Sequence, residues 1–134
     1  MPIDMENLEN ALDSLKSAVR ELGNNAVCHF YDMIEDSCVK RFEYTYEIAW
    51  KIMKRVLKEV YGKSEQELTV SNIFRFMQGY GFITNWENWR SYSEKRNTTA
   101  NEYSLEKSRK LLEIIPQFIA DCEELTVNLR NNLK

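Results

Sequence analysis

Val39-Lys40-Arg41-Phe42-Glu43-Tyr44-Thr45-Tyr46-Glu47-Ile48-Ala49-Trp50-Lys51-Ile52-Met53-Lys54-Arg55-Val56 is the stretch on which the fold turns. Val39, Phe42, Tyr46, Ala49, Met53 and Val56, continued by Val60, recur at alternating steps of three and four. That spacing lays one apolar stripe along an α-helix and fits no strand, whose period is two. The helix is expected over about 36–61, with Gly62 ending it. The intervening positions carry a charged face that includes Glu43, Glu47 and Lys51.

The same pattern extends to both sides. Upstream, Met5, Leu8, Leu12, Leu15, Val19 and Leu22 repeat it, with Asp4 placed to cap the start and Gly23-Asn24-Asn25 to close the end. Downstream, Ser71 to Tyr80 reads as a short helix with Ile73, Phe74 and Met77 on one face, closed by Gly79 and Gly81. Asn85 then caps a fourth helix that carries Trp86, Trp89 and Tyr92 toward Arg96. From Ser104 a last stripe runs through Leu112, Ile115, Ile119, Cys122, Thr126, Leu129 and Leu133. Pro116 interrupts it and predicts a kink, or a break at which a new helix opens, because proline lacks the backbone donor and crowds the preceding turn. No segment alternates with period two, and no repeat or linker is visible. The expectation is an all-α, antiparallel up-and-down bundle of four to five helices in a single domain, 1–134. Leu111, Ile114, Phe118 and Leu125 widen the apolar face of the last helix beyond one seam, which predicts a homodimer.

Composition narrows the function classes. In 134 residues, 43% are apolar and 29% charged, with four glycines and two prolines, as a helical globular chain requires. A formal charge of −3 argues against bulk nucleic-acid binding, though not against a local basic patch. Arg90–Lys110 holds six basic residues against three acidic, and Val39–Lys63 holds seven against three, so adjoining helices would border Arg96 with positive charge. Cys28, Cys38 and Cys122 are odd in number and lack C-x-x-C spacing, which supports neither a disulfide framework nor a metal site; reduced thiols are expected. No apolar run is long enough to span a membrane and no leader is evident, so the cytoplasm is the expected location.

Chemistry concentrates in Arg96-Asn97-Thr98-Thr99-Ala100-Asn101-Glu102 and Tyr103, a polar density that packing does not demand. Arg96 offers a planar fork of donors suited to phosphate or carboxylate. Asn101 can bind or orient a group but cannot exchange a proton near neutral pH. On the long helix Glu43 and Glu47 share a face, and Glu47 stands four residues before Lys51, a pairing worth a few tenths of a kcal/mol. The structural alternative is that Arg96 pairs with Glu43 or Glu47, the asparagines satisfy backbone groups and Tyr103 packs. His29, the lone histidine, has no motif around it and is expected to be structural or at the surface. The tryptophans and tyrosines, at helical spacing, are expected in the core.

Arg41-Phe42-Glu43-Tyr44-Thr45-Tyr46-Glu47 with Ala49-Trp50-Lys51, followed by Arg96-Asn97-Thr98-Thr99 and Tyr103, resembles the nucleotidyltransferase substrate-binding protein family, an all-helical, HepT-like branch of the HEPN superfamily. The resemblance covers nearly the whole chain. It implies a homodimer that binds a minimal, MntA-like nucleotidyltransferase, often as a toxin–antitoxin pair, and possible contact with nucleotide or RNA; no cofactor is implied. The superfamily signature is R-x4-H-x-Y, in which arginine and histidine cleave RNA and the tyrosine can accept AMP. Arg96 and Tyr103 match, whereas the histidine position holds Asn101. The resemblance therefore implies a non-catalytic binding subunit with Tyr103 as AMP acceptor. The alternative is a metal-independent ribonuclease with Arg96 and Asn101 as its candidate catalytic residues. Binding would fall to Arg96, Asn97, Asn101, Tyr103, Glu43 and Glu47.

Overall fold

A computed structural model describes residues 4–24, 31–101 and 105–132. These form α1 (Glu6–Asn24), α2 (Tyr31–Glu59), a 3₁₀ turn at Glu65–Glu67, α3 (Val70–Gly79), α4 (Trp86–Asn101) and α5 (Leu105–Asn132), and there is no strand among them. The all-helical class and the up-and-down order are as the periodicity implies.

Helix α2 is the centre, packed against each of the other four. Its antiparallel seam with α1 is fixed by polar ties among apolar contacts. Arg41 Nη1 donates to the Ser14 carbonyl at 2.8 Å, Tyr44 and Ser14 share a hydroxyl bond of 2.7 Å, and Thr45 Oγ1 donates to the Ala11 carbonyl at 3.3 Å. Lys16 pairs with Glu123, and Arg130 with Glu9, so α1 and α5 also run oppositely. Phe118 of α5 lies between α2 and α4, edge-on to Phe42 at 4.7 Å, Tyr92 at 5.0 Å and Trp89 at 5.9 Å between ring centroids. Each such pair is worth about 0.5–1.5 kcal/mol beyond its buried area.

Helix α3 closes one end of the bundle through Ile73, Phe74 and Met77, all fully buried. Thr69 caps its start by accepting from Asn72 N. Its end is a Schellman turn: Gly81, at φ 85°, lets Phe82 N reach the Met77 carbonyl and Gly81 N the Gln78 carbonyl. A side chain at that φ would be strained. Phe82 and Ile83 then drop into the core, and Asn85 Oδ1 accepts from Glu87 N and Asn88 N to start α4 as expected.

Four expectations change. Helix α2 begins at Tyr31, five residues before the predicted 36. Val60 is 41% exposed, while Ile52 and Leu57 are buried in its stead. Helix α2 ends at Glu59, so Val60, the last position of the stripe, falls in the turn that follows the helix. The predicted α5 seam and the real one share Ile115, Cys122 and Leu129, but the positions that alternate with them are Leu111, Phe118 and Leu125, while Leu112 and Ile119 on the other flank are only half-buried. The apolar width from which a subunit interface was expected is thus largely spent inside this chain. Finally, the break foreseen as one of two alternatives at Pro116 does not occur, and α5 passes through the proline without ending. Leu111 and Ile115 before the proline and Phe118 after it are buried, and this anchoring on both sides offsets the lost hydrogen bond.

Cys38 and Cys122 are buried free thiols, both pushed above the ordinary thiol range chiefly by burial. They are packing groups rather than nucleophiles. Cys28 and His29 lie outside the described residues.

Candidate functional site

Along α4 the inward stripe changes character. Trp89 and Tyr92 are fully buried, and the same face then presents Ser93, Arg96 and Thr99 to the charged face of α2. Ser93 hydrogen-bonds Tyr46, whose phenol burial pushes up to about 12. Arg96 Nη2 meets Glu47 Oε2 at 2.7 Å, and the other oxygen of Glu47 lies 3.3 Å from Lys51 Nζ. Arg96 Nη1 makes a long bond of 3.4 Å to Asn97 Oδ1.

The carboxylate pairing foreseen as the structural alternative is therefore present, and Glu47 is the partner. It does not bury the arginine, since the side chains of Arg96 and Glu47 are 34% and 32% exposed. Such a pair contributes on the order of 0–1 kcal/mol. It orients the guanidinium while leaving donors open to solvent.

Glu43, one turn before Glu47, is raised above the usual carboxylate range by burial, against the lowering pull of Arg96, Thr99 and Lys40. Lys40, Glu43, Tyr44, Glu47 and Arg96 together line a shallow depression of about 300 Å³. Lys40 was not singled out in the sequence, and Tyr44, expected with the other tyrosines in the core, is exposed here instead; their spacing from Glu43 and Glu47 places both on one helix face. The depression can hold an anion between Arg96 and Lys40, with Glu43 as a neighbouring proton acceptor. Among the described residues, no group of three or more His, Cys, Asp or Glu gathers as a metal site would need.

The structure brings Arg96, Asn97, Glu43 and Glu47 together. Asn101 ends α4, but its side chain, like Tyr103, lies outside the described residues. A second polar cluster, absent from the sequence reading, joins α4 to α5: Tyr92 donates a hydrogen bond to Asp121 Oδ2, which Asn88 also approaches at 3.4 Å. Burial raises both the phenol and the carboxyl. Asp121 on its own helix looks like any solvated carboxylate, so only the packing reveals it.

Comparisons with known proteins agree with this architecture. A Haemophilus influenzae structure, described as revealing the fold of a substrate binding domain of a nucleotidyltransferase, superposes with a TM-score of 0.85, covering 95% of this chain and 99% of its own at 24% identity. A Thermus thermophilus protein superposes at 0.67, covering 87% and 98% at 21% identity. In sequence, the "Probable ribonuclease HepT" of Haemophilus influenzae is 25% identical over 138 residues, 96% of this chain and 92% of that protein. No helix among the described residues is long and apolar enough to cross a membrane. Residues 3–131 match the family model described as "Nucleotidyltransferase substrate binding protein like", and the chain belongs to that family.

Proposed function

We propose that this chain is the non-catalytic, substrate-binding subunit of a two-component system whose other member is a minimal nucleotidyltransferase. In this reading it works as a cytoplasmic homodimer of toxin–antitoxin type, and Tyr103 is the tyrosine that accepts AMP. The observation that carries the reading is the state of the motif. Arg96 is held by Glu47 at the rim of an open depression, equipped to bind an anion, while the motif's proton-transfer position holds Asn101. Loss of a general acid or base typically lowers a rate by about 10²- to 10⁴-fold, whereas anion binding by the guanidinium survives.

The test is intact mass after mixing the protein with the nucleotidyltransferase encoded beside it, ATP and Mg²⁺. A gain of AMP that disappears in Tyr103→Phe is expected. AMP gained undiminished by Tyr103→Phe would remove Tyr103 as acceptor, and absence of any stable complex would remove the partnership.

Two observations favour a second reading, that of a ribonuclease. The Haemophilus influenzae relative bears that name, and Glu43 sits beside Arg96 with its proton affinity raised by burial. RNA cleavage by the purified protein, abolished in Arg96→Ala and in Glu43→Gln, would establish the enzyme and overturn the binding-only reading.

A further inference from the structure

Starting within one turn of Glu47, the charged face of α2 opens into a second groove, of about 390 Å³, that shares Trp50 and Lys51 with the family motif but extends beyond it. Trp50 lines it together with Lys51, Lys54, Arg55 and Lys58, and the 3₁₀ turn supplies Glu65 opposite. Glu59 is the one other acidic residue of the lining. Four cations against two carboxylates, in a chain of net charge −3, make this groove locally positive.

The pairing inside the groove is uneven. Arg55 is matched by Glu59 at 2.9 Å and Lys51 by Glu47 at 3.3 Å. Lys54 and Lys58 share a single carboxylate, Glu65, at 3.0 Å and 2.6 Å. Two ammonium groups that converge on one anion are the arrangement a phosphate takes, and Glu65, 60% exposed, stands where that phosphate would sit. Lys54 Nζ also lies 5.6 Å from the centroid of the Trp50 ring, so the cations and the aromatic face belong to one site. Indole and lysine side by side suit a ligand that is planar and apolar at one end and anionic at the other.

We propose that this groove binds a nucleotide unit, its base stacked on Trp50 and its phosphate held by Lys54 and Lys58 in place of Glu65. Lys51 ties the groove to the Arg96 depression, because Glu47 bridges the two cations. Glu47 and Lys54 are seven residues apart, about 10 Å along the helix. The biological role of the groove rests on the substrate-binding reading above; the binding itself does not require the partner.

The experiment uses the purified chain alone, with ATP and, separately, a short single-stranded RNA, read by tryptophan fluorescence and isothermal titration. Wild type is expected to bind with quenching of Trp50. Lys54→Glu/Lys58→Glu weakens binding by about tenfold or more. Trp50→Phe loses most of the quench while retaining partial affinity. The charge-matched control Lys16→Glu/Arg20→Glu on α1 leaves binding as in wild type, and circular dichroism confirms that each variant folds. Tight binding of ATP assigns the groove to free nucleotide. Binding of RNA alone, with a salt slope that falls by about 0.7 in the double variant, assigns it to one unit of a strand.

Tripolyphosphate that binds as well as ATP would overturn the base-stacking half of the proposal. Equal affinity of wild type and the double variant for both ligands would overturn the whole. If the double variant instead lost only its complex with the nucleotidyltransferase, the face would be a protein-docking surface. Conversely, a groove that binds nucleotide in a chain forming no such complex would uphold this proposal while the partnership fell.

Discussion

The two halves of α4 lie on one helix and face the same bundle, yet they are built for different ends. Near its start, Trp89 and Tyr92 are fully buried against Phe118 and Phe74. Two turns later, Arg96 occupies the corresponding face with a third of its side chain exposed and an ion pair for a contact. The helix is held by its first half, so the second needs no apolar anchor of its own and can present polar groups toward α2. Few apolar residues follow Tyr92 in α4 for that reason, and the described part of the polar cluster meets α2 through the buried Thr99 and the Arg96–Glu47 pair in place of an apolar side chain.

The sharpest way to break this division is to empty the packed half. Phe118→Ala removes the ring that Phe42, Trp89 and Tyr92 all touch, and should cost about 3–5 kcal/mol of stability, measured as the shift in urea midpoint at constant slope. A loss below about 1 kcal/mol would mean that the aromatic cluster does not anchor α4.

The polar half should respond in the opposite way. Arg96→Ala leaves Glu47 with Lys51 as a partner in a half-exposed setting, so stability should change by no more than about 1 kcal/mol. The same urea experiment reads it. A loss comparable to that of Phe118→Ala would make Arg96 a structural residue, and the structural alternative raised from the sequence would then describe the whole cluster.

How far each half was legible follows from what periodicity can encode. Trp89 and Tyr92 were readable as core and Asn85 as the cap, because each signal is local to α4. The pairing of Arg96 with Glu47 was foreseen as one of two options, since charge and helix order limit the partners but not the register between helices. The start of α2 at Tyr31 was missed because the first turns carry Met33, 68% exposed, and no stripe. The face of α5 was misplaced by one flank, because Leu112, Ile119 and Thr126 repeat with Ile115, Cys122 and Leu129 as regularly as Leu111, Phe118 and Leu125 do, and only packing against α2 and α4 decides between them. Asp121 had no signal at all, and the Trp50 groove showed only as motif residues and a basic excess on α2, because Asp121 looks ordinary on its own helix and the groove takes its shape from Glu65 on the element opposite.

The smallest effect expected reads the two halves separately, by pH. Each holds a carboxyl raised by burial: Asp121 under Tyr92 in the packed half and Glu43 beside Arg96 in the polar half. On acidification such a group takes up its proton in the folded state before the unfolded one, so folding is favoured as the proton binds. Stability contributed this way is therefore lost as pH rises from the unfolded value, 3.8 for Asp121 and 4.5 for Glu43, through the raised folded value, and is level above it. Glu65 and Glu67, lowered by their lysine and serine partners, act in the opposite sense, and a wild-type curve mixes both signs. Differences from Asp121→Asn and Glu43→Gln, taken as urea midpoints from roughly pH 4 to 7, isolate each carboxyl. Both differences should decline as pH rises, each burial effect working against an opposing pull: the hydrogen bonds of Tyr92 and Asn88 at Asp121, and Arg96, Thr99 and Lys40 at Glu43. A flat Asp121 difference would mean that the carboxyl is hydrated in the fold, and the packed half would then be less closed at its α5 edge than the burial of Tyr92 implies.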